Sequence, residues 1–536
     1  MHSIATKVLE SNDLVYLIGA LQKLNEHGGK LGGKDGQGIW HNISTDPYEK
    51  ERHREARKML ARMKSALKTL GSVTTFLEYS IQSLSHNCIR EERAIGIASL
   101  PDELLARVFE FYYEDYHDQF NTESEDTTTS PMILSGVCKR FRCIVLHMPR
   151  VWACVSPYFG SDRLDTLKTR CQNPVVFLSA DCESSNKEFV RFFKQLHPIN
   201  QWRGLNMEFV DKEDGCILFE SLFSRGSSLD ALETLSITFE GFGNDEGNLP
   251  NPLFPRKCQE VLSKWVMPRL EELVLRNIIP SGNLKCSRLK SCKIFLGNFL
   301  YHRVEWDFNA LRNFIHSSPL SSIEHLTVIF DGTLASDVTL GTRKHPLFKL
   351  KHLEVYVDLD TDPKALRQIM DIVDAPNLES MKIHLSYLQD GDIHLPIKWL
   401  NAIFQPSEGL IRTFPNVVKF QIYVLLNGIA ELPFEPMLRS LPRLNSLRMS
   451  IPGAKVPDFS ALRRNFGCIQ ELKSLDFRNC LSPSPWNIAD YFSSLKRCQG
   501  LTELQEVELR GCCGLRESGY KERVITLLGD KLLWKC

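Results

Sequence analysis

One short unit recurs along residues 174–536: an apolar residue, two variable positions, a second apolar residue, one variable position, and then alternating apolars. It appears as Leu232-Glu233-Thr234-Leu235-Ser236-Ile237-Thr238-Phe239. It returns at Leu270, Leu273 and Leu275, at Leu350, Leu353, Val355 and Val357, and at Leu378, Met381, Ile383 and Leu385. Further copies are Val417, Phe420, Ile422 and Val424, then Leu444, Leu447, Met449 and Ile451, then Leu472, Leu475 and Phe477, and last Leu504, Val507 and Leu509. Weaker copies begin at Trp202, Leu289 and Ile323. Alternation with a period of two describes a short strand with one buried face. Between strands the pattern turns helical: Leu366, Ile369, Met370 and Val373 share one face of the segment from Pro363 to Val373. A single strand–helix unit cannot bury its own apolar face, but a stack of such units can.

The starts at 350 and 378 are 28 residues apart, those at 417 and 444 are 27 apart, and those at 444 and 472 are 28 apart. From 378 to 417 the spacing stretches to 39, which implies inserted loops. Pro268, Pro376, Pro415 and Pro442 each stand two residues before a strand motif. Proline stops the preceding helix and directs the chain into the strand. The tail from Lys521 to Trp534 reads as a helix that caps the last repeat.

At 536 residues more than one domain is expected. Apolar residues make up 43% and charged residues 24%, ordinary for a folded chain. Lys plus Arg and Asp plus Glu number 65 each, so no overall nucleic-acid footprint is implied. The most apolar run near the start, Leu14 to Leu21, is too short to cross a bilayer and follows no basic leader, so an intracellular chain (cytoplasm, nucleus or both) without a membrane partner is expected. The sixteen cysteines include no C-x-x-C pair, and Cys138, Cys154, Cys292 and Cys468 lie among apolar neighbours. They are expected as packed thiols.

Ahead of the repeats, four stretches differ in character. Residues 1–45 hold a short helical candidate, Leu14 to Leu24, and a Gly-rich linker from His27 to Gly38. Residues 46–93 contain one long helix. Its Leu60, Met63, Leu67, Leu70, Leu77, Ile81 and Leu84 follow alternating three- and four-residue steps, with Thr74 in the gap. That stripe suits either a partner helix within the chain or a coiled-coil dimer seam. Residues 94–160 begin with Leu100-Pro101-Asp102-Glu103-Leu104-Leu105, a helix start with acids at the positive end of the dipole. Leu104, Leu105, Val108, Phe109 and Tyr112 continue the apolar face, and an acidic Ser/Thr-rich loop is expected over residues 114–130. A second helix carries Ile133, Leu134, Val137, Cys138, Phe141 and Ile144, and Pro149-Arg150-Val151-Trp152 closes the segment. The repeat domain then occupies 170–536.

The stretch from Ile97 to Trp152 resembles the F-box motif. The matching pieces are Leu100 to Leu105 with Val108-Phe109, then Leu134-Ser135-Gly136-Val137-Cys138-Lys139-Arg140-Phe141-Arg142, then Pro149 and Trp152. Two features depart from the family: Phe141 stands where many members carry tryptophan, and the acidic loop is long. The repeats resemble the irregular leucine-rich repeats that often follow an F-box, and Cys480 and Cys512 occupy the position that takes Asn or Cys there. Leading helix, F-box and repeats together resemble the large F-box families of fungi. The fold so implied is an α+β chain: N-terminal helices, a helical F-box, and an α/β leucine-rich-repeat solenoid with a parallel sheet on its concave face.

The resemblance implies a substrate-recognition subunit of a cullin–RING ubiquitin ligase. Leu100, Pro101, Leu104, Leu105, Val108, Phe109, Leu134, Val137, Cys138, Phe141 and Trp152 would dock a Skp-type adaptor. The solenoid would hold a protein substrate, and transfer would be accelerated by proximity. The same apolar residues also suit a plain domain core, although so small a unit cannot bury all of them. The alternative function is a protein-interaction scaffold outside ubiquitin transfer.

Other candidates for chemistry are weak. Gly28-x-x-x-x-Gly33-Lys34 misses a phosphate-binding loop because Asp35 stands at the Ser/Thr position and no strand precedes it. Cys480, Cys498, Cys512 and Cys513 match no zinc spacing. His325, His352 and His384 fall in or beside strand motifs, where they either line a binding face or are ordinary packed histidines. No nucleophile elbow, zinc-protease helix or dinucleotide loop is found, so no catalytic residue, cofactor or metal is expected.

Overall fold

The computed structural model describes residues 50–94, 96–119, 129–180, 198–210, 212–223, 228–240, 256–280, 283–297, 304–335, 346–358, 360–387, 394–405, 410–426, 434–452, 471–480, 503–512 and 518–535, with 18, 19, 22, 192, 193, 196, 432, 492 and 493. The Gly-rich segment 27–38, most of the helical candidate 14–24, Cys468, Cys498 and Cys513 lie outside them. The chain divides into two compact units, 1–108 and 109–536, and the division falls inside a helix rather than at the edges of the 94–160 segment.

In the first unit, helix α1 runs 45 residues, Lys50–Ala94. It is rich in strong helix formers, contains no proline and has one interior glycine, Gly71. Leu60, Leu67, Leu70, Leu77, Ile81 and Leu84 are all exposed, Leu67 by 71%. A 3-10 turn, Ile97–Ser99, leads to helix α2, Asp102–Gln119. Pro101 precedes α2, and its carbonyl accepts the first helical hydrogen bond from Leu105 N at 3.0 Å. Asp102 and Glu103 occupy the first turn, where the free N–H groups favour negative charge.

The second unit continues with α3, Thr129–Val137, and α4, Lys139–Leu146. The single helix expected from the 133–144 stripe is therefore two. Cys138 adopts an extended backbone between them, and its Sγ accepts from Phe141 N at 3.4 Å, capping α4. Of the expected acidic loop 114–130, residues 114–119 belong to α2 and 129–130 to α3, and 120–128 lie outside the described residues.

Beyond Pro149–Trp152, a 3-10 turn, the chain enters a long parallel sheet. Its strands are β1 Cys154–Val155, β2 Val175–Ala180, β3 Gly204–Phe209, β4 Thr234–Phe239, β5 Glu272–Arg276 and β6 Ser291–Gly297. A short side pair, β7 Val304–Trp306 and β9 Thr333–Ala335, flanks β8 His325–Asp331 in sequence. The sheet continues through β10 His352–Asp358, β11 Ser380–Tyr387, β12 Lys419–Leu426, β13 Ser446–Ser450, β14 Ser474–Arg478, β15 Glu506–Arg510 and β16 Leu532–Lys535. Among the described residues the sheet has 14 strands, ordered as they occur in the chain. Every coil thus adds one parallel strand at the same edge, and the protein is mixed α/β.

Each repeat motif found in the sequence begins one of these strands. Alternate side chains point into one core: Leu353, Val355 and Val357 of β10, Met381, Ile383 and Leu385 of β11, and Phe420, Ile422 and Val424 of β12 are all buried. Return helices supply the opposite wall. Helix α5, Pro363–Ile372, presents buried Leu366, Ile369 and Met370, as its periodicity predicts. Asp362 Oδ1 accepts from Lys364 N at 2.9 Å at its start, and Pro363 takes the first helical position. Helix α6, Leu395–Phe404, buries Trp399, whose Nε1 donates to Thr361 O at 2.7 Å.

The prolines before the strands have a more local role than ending helices. Leu270 N donates to Met267 O, Leu378 N to Ala375 O, Val417 N to Phe414 O and Leu444 N to Leu441 O. Each proline is the second residue of the turn so closed, the position its fixed φ favours. The tail differs from expectation. Helix α7, Ser518–Leu528, ends at a 3-10 turn, and residues 532–535 form β16, paired with β15. Leu532 to Trp534 meet Val507 to Leu509 in register, so the sheet edge captures the tail as a strand.

Candidate binding surfaces

Of the predicted docking residues in the first unit, Leu104 is 52% exposed and Pro101 lies on the surface. Leu100 and Val108 are half-buried, and Leu105 is fully buried. In the second unit Phe109, Phe141 and Trp152 are buried as well. The rings of Phe109 and Phe141 meet edge to face at 4.8 Å. Trp152 Nε1 donates to Val145 O at 2.8 Å, and the Arg170 guanidinium lies 5.1 Å from its ring. Leu105, Phe109, Phe141 and Trp152 are therefore core residues rather than parts of an exposed docking face. Large apolar side chains gain by leaving water, and the one polar tip among them, the Trp152 indole N–H, has its hydrogen-bond partner.

The surface belongs to their neighbours. Val137 is 61% exposed, Ile133 58% and Met132 44%, all on α3. Leu134 and Cys138 are half-buried. Phe111 and Tyr112 of α2 are exposed too. Of this exposed set only Val137 is among the docking residues that the resemblance implies. Met132 and Ile133 lie within the stretch 97–152 but just before its matching piece Leu134–Arg142, and the signal for them is the apolar run Met132-Ile133-Leu134. Beside these helices, α2 is also tied to the sheet. Tyr113 Oη and Cys154 Sγ lie 2.7 Å apart, fastening α2 to β1, and burial pushes the Cys154 thiol up to about 12.

A second surface is the face of the sheet opposite this core, on which most side chains are half-buried and Ser450, Asp476 and Glu508 are buried. Register aligns Glu354, Lys382, Gln421, Arg448, Asp476 and Glu508 in one row across β10 to β15. The next row runs Tyr356, His384, Tyr423, Ser450, Arg478 and Arg510. Opposite charges pair across neighbouring strands and along single strands. Arg448 Nε donates to Asp476 Oδ2 at 2.7 Å, Arg478 Nε to the same oxygen at 3.0 Å, and Arg510 lies 2.6 Å from Glu508. Lys382 Nζ donates to Tyr356 Oη at 2.6 Å, while Tyr356 Oη donates to Glu354 at 2.9 Å. His384 sits between Tyr356 and Tyr423, with ring centroids 5.3 and 5.8 Å away. Burial and the Lys382 charge hold its pKa below the ordinary imidazole value, so it is neutral at pH 7. His325 and His352 stack at 4.3 Å.

Farther back on this face, carboxylates gather around Arg276. Its guanidinium lies 4.5 Å from the Phe295 ring. Burial and the neighbouring Glu240 raise Glu208 to about 8, and burial with Asp358 nearby raises Asp331 to about 6. Among the described residues no group of three or more His, Cys, Asp and Glu side chains is placed to hold a metal ion. No described helix is long and apolar enough to cross a membrane.

The two surfaces differ in chemistry. One is a small apolar cluster on short helices, and the other is an extended sheet face of aromatic and paired charged side chains. No protein-family model matches the chain, and no curated protein matches it.

Proposed function

We propose that this chain is a substrate receptor of a cullin–RING ubiquitin ligase, with an F-box-like segment at 97–152 and leucine-rich-repeat-like coils behind it. The observation that carries the reading is the exposed apolar cluster Met132, Ile133 and Val137 on α3, within the stretch whose sequence resembles the F-box. Exposed apolar side chains on a helix held from below by a packed core suit a docking contact with a Skp-type adaptor. The polar and aromatic sheet face supports the second half of the reading, since coils of this kind present a long rigid surface to a protein substrate. Such a receptor acts by raising the local concentration of substrate at the ligase and needs no chemistry of its own.

The test is co-elution of the full chain with a Skp-type adaptor. A one-to-one complex is expected from the wild type. Ile133→Asp with Val137→Asp is expected to weaken it at least ~100-fold, the loss of two interface anchors, without changing the thermal unfolding of the sheet. A folded wild-type chain that does not bind the adaptor would overturn the proposal and leave the scaffold reading in its place.

A further inference from the structure

We propose that α1 pairs with α1 of a second copy of this chain as an antiparallel two-helix coiled coil centred on Gly71–Val73. Leu60, Met63, Leu67, Leu70, Thr74, Leu77, Ile81 and Leu84 occupy alternating three- and four-residue steps along one unbroken helix. A stripe with that period winds onto another helix as a left-handed coil. From residue 60 to residue 84 it covers about 36 Å of helix, at ~1.5 Å per residue. The leucines and Ile81 are exposed. The one polar member is accommodated, because Thr74 Oγ1 donates to Leu70 O at 3.0 Å and brings no unpaired hydroxyl to the seam.

The charges choose the orientation. Arg62, Lys64 and Lys68 fall in the first half of the seam, with Arg57 and Lys58 just ahead of it, and residues 57–71 include no acid. Residues 73–87 contain one charged residue, Glu78. A parallel pair would set the cationic halves side by side, whereas an antiparallel pair sets each against the half that carries Glu78. The antiparallel register also closes on itself. Leu60 meets Leu84 of the second copy, Met63 meets Ile81, Leu67 meets Leu77 and Leu70 meets Thr74, with the same layers repeated beyond the centre. Lys64 then flanks Glu78 of the second copy. Gly71 flanks the seam beside its centre, and no heavy atom lies within 4 Å of the place a Cβ would take, so the chain itself leaves room there for a second helix.

The test uses the full chain. Light scattering at 1–100 µM is expected to give the mass of a dimer. Leu67→Glu with Leu77→Glu, which share a layer, is expected to raise the dissociation constant at least ~100-fold while the sheet unfolds at an unchanged temperature. Orientation follows from oxidative cross-linking. A chain carrying Leu84→Cys is expected to stay at the wild-type background alone and to cross-link when mixed with a chain carrying Leu60→Cys. A monomeric wild type at 100 µM, a double-Glu variant that remains dimeric, or cross-linking of the Leu84→Cys chain with itself would each overturn the proposal.

Discussion

Asn277, Asn479 and Gly511 stand directly after strands and hold positive φ angles of 57°, 50° and 62°. Only glycine, and less readily asparagine, takes that conformation without strain. Asn277 uses it to join three coils: its Nδ2 donates to Phe239 O at 3.1 Å, and its Oδ1 accepts from Gly297 N at 3.0 Å. At Gly511 a Cβ would run into the Asn479 side chain of the coil before. Gly511→Ala is therefore expected to cost ~1–3 kcal/mol, measured as a lower denaturant midpoint at unchanged slope. Glu208 gives a pH signature. Burial and Glu240 raise its folded pKa to about 8 from an ordinary 4.5, so between those values the folded state binds more protons than the unfolded state. Its contribution is favourable below pH 4.5 and is lost as pH rises towards 8. Glu208→Gln is expected to raise the melting temperature at pH 8 relative to wild type by more than at pH 5. An equal shift at both pH values would contradict this account. None of this was legible from residue order. Glu208, Arg276 and Asp331 are brought together by strand register across more than a hundred positions.

Strands and return helices were the most legible elements, because alternation and 3.6-residue periodicity are written in the chain. The apolar positions of β10, β11 and β12 could be named from spacing alone, and so could the buried face of α5. Boundaries were less visible. The break at Cys138 depends on one extended residue within a continuous apolar stripe, and β16 forms because β15 offers an unpaired edge. The turns before the strands give an element-scale prediction. Pro442→Ala keeps the bond from Leu444 N to Leu441 O but frees the unfolded chain, and is expected to cost ~0.4–1 kcal/mol. Ile383→Ala, which empties part of the core under β11, is expected to cost ~2–5 kcal/mol. A larger effect at Pro442 than at Ile383, in the same denaturant titration, would reverse this order of importance.

For the whole molecule, the proposed function divides labour between a long sheet with a polar and aromatic face and short helices with exposed apolar side chains. Sequence resemblance pointed to the segment 97–152 but selected core and surface members together, because an apolar residue at the right spacing reads the same in either place. Phe109, Phe141 and Trp152 build the support, while Met132, Ile133 and Val137 are available for contact. A fragment cut at 94–160 would sever the packing that makes this so, since β1 pairs with β2 at residues 175 and 176. Hydrogen exchange of the full chain, with and without a Skp-type adaptor, tests the central claim most directly. The account predicts new protection in residues 129–146 and the adjoining part of α2, with the sheet unchanged. Protection confined to α1 or to the sheet face, or none at all in the presence of saturating adaptor, would contradict it.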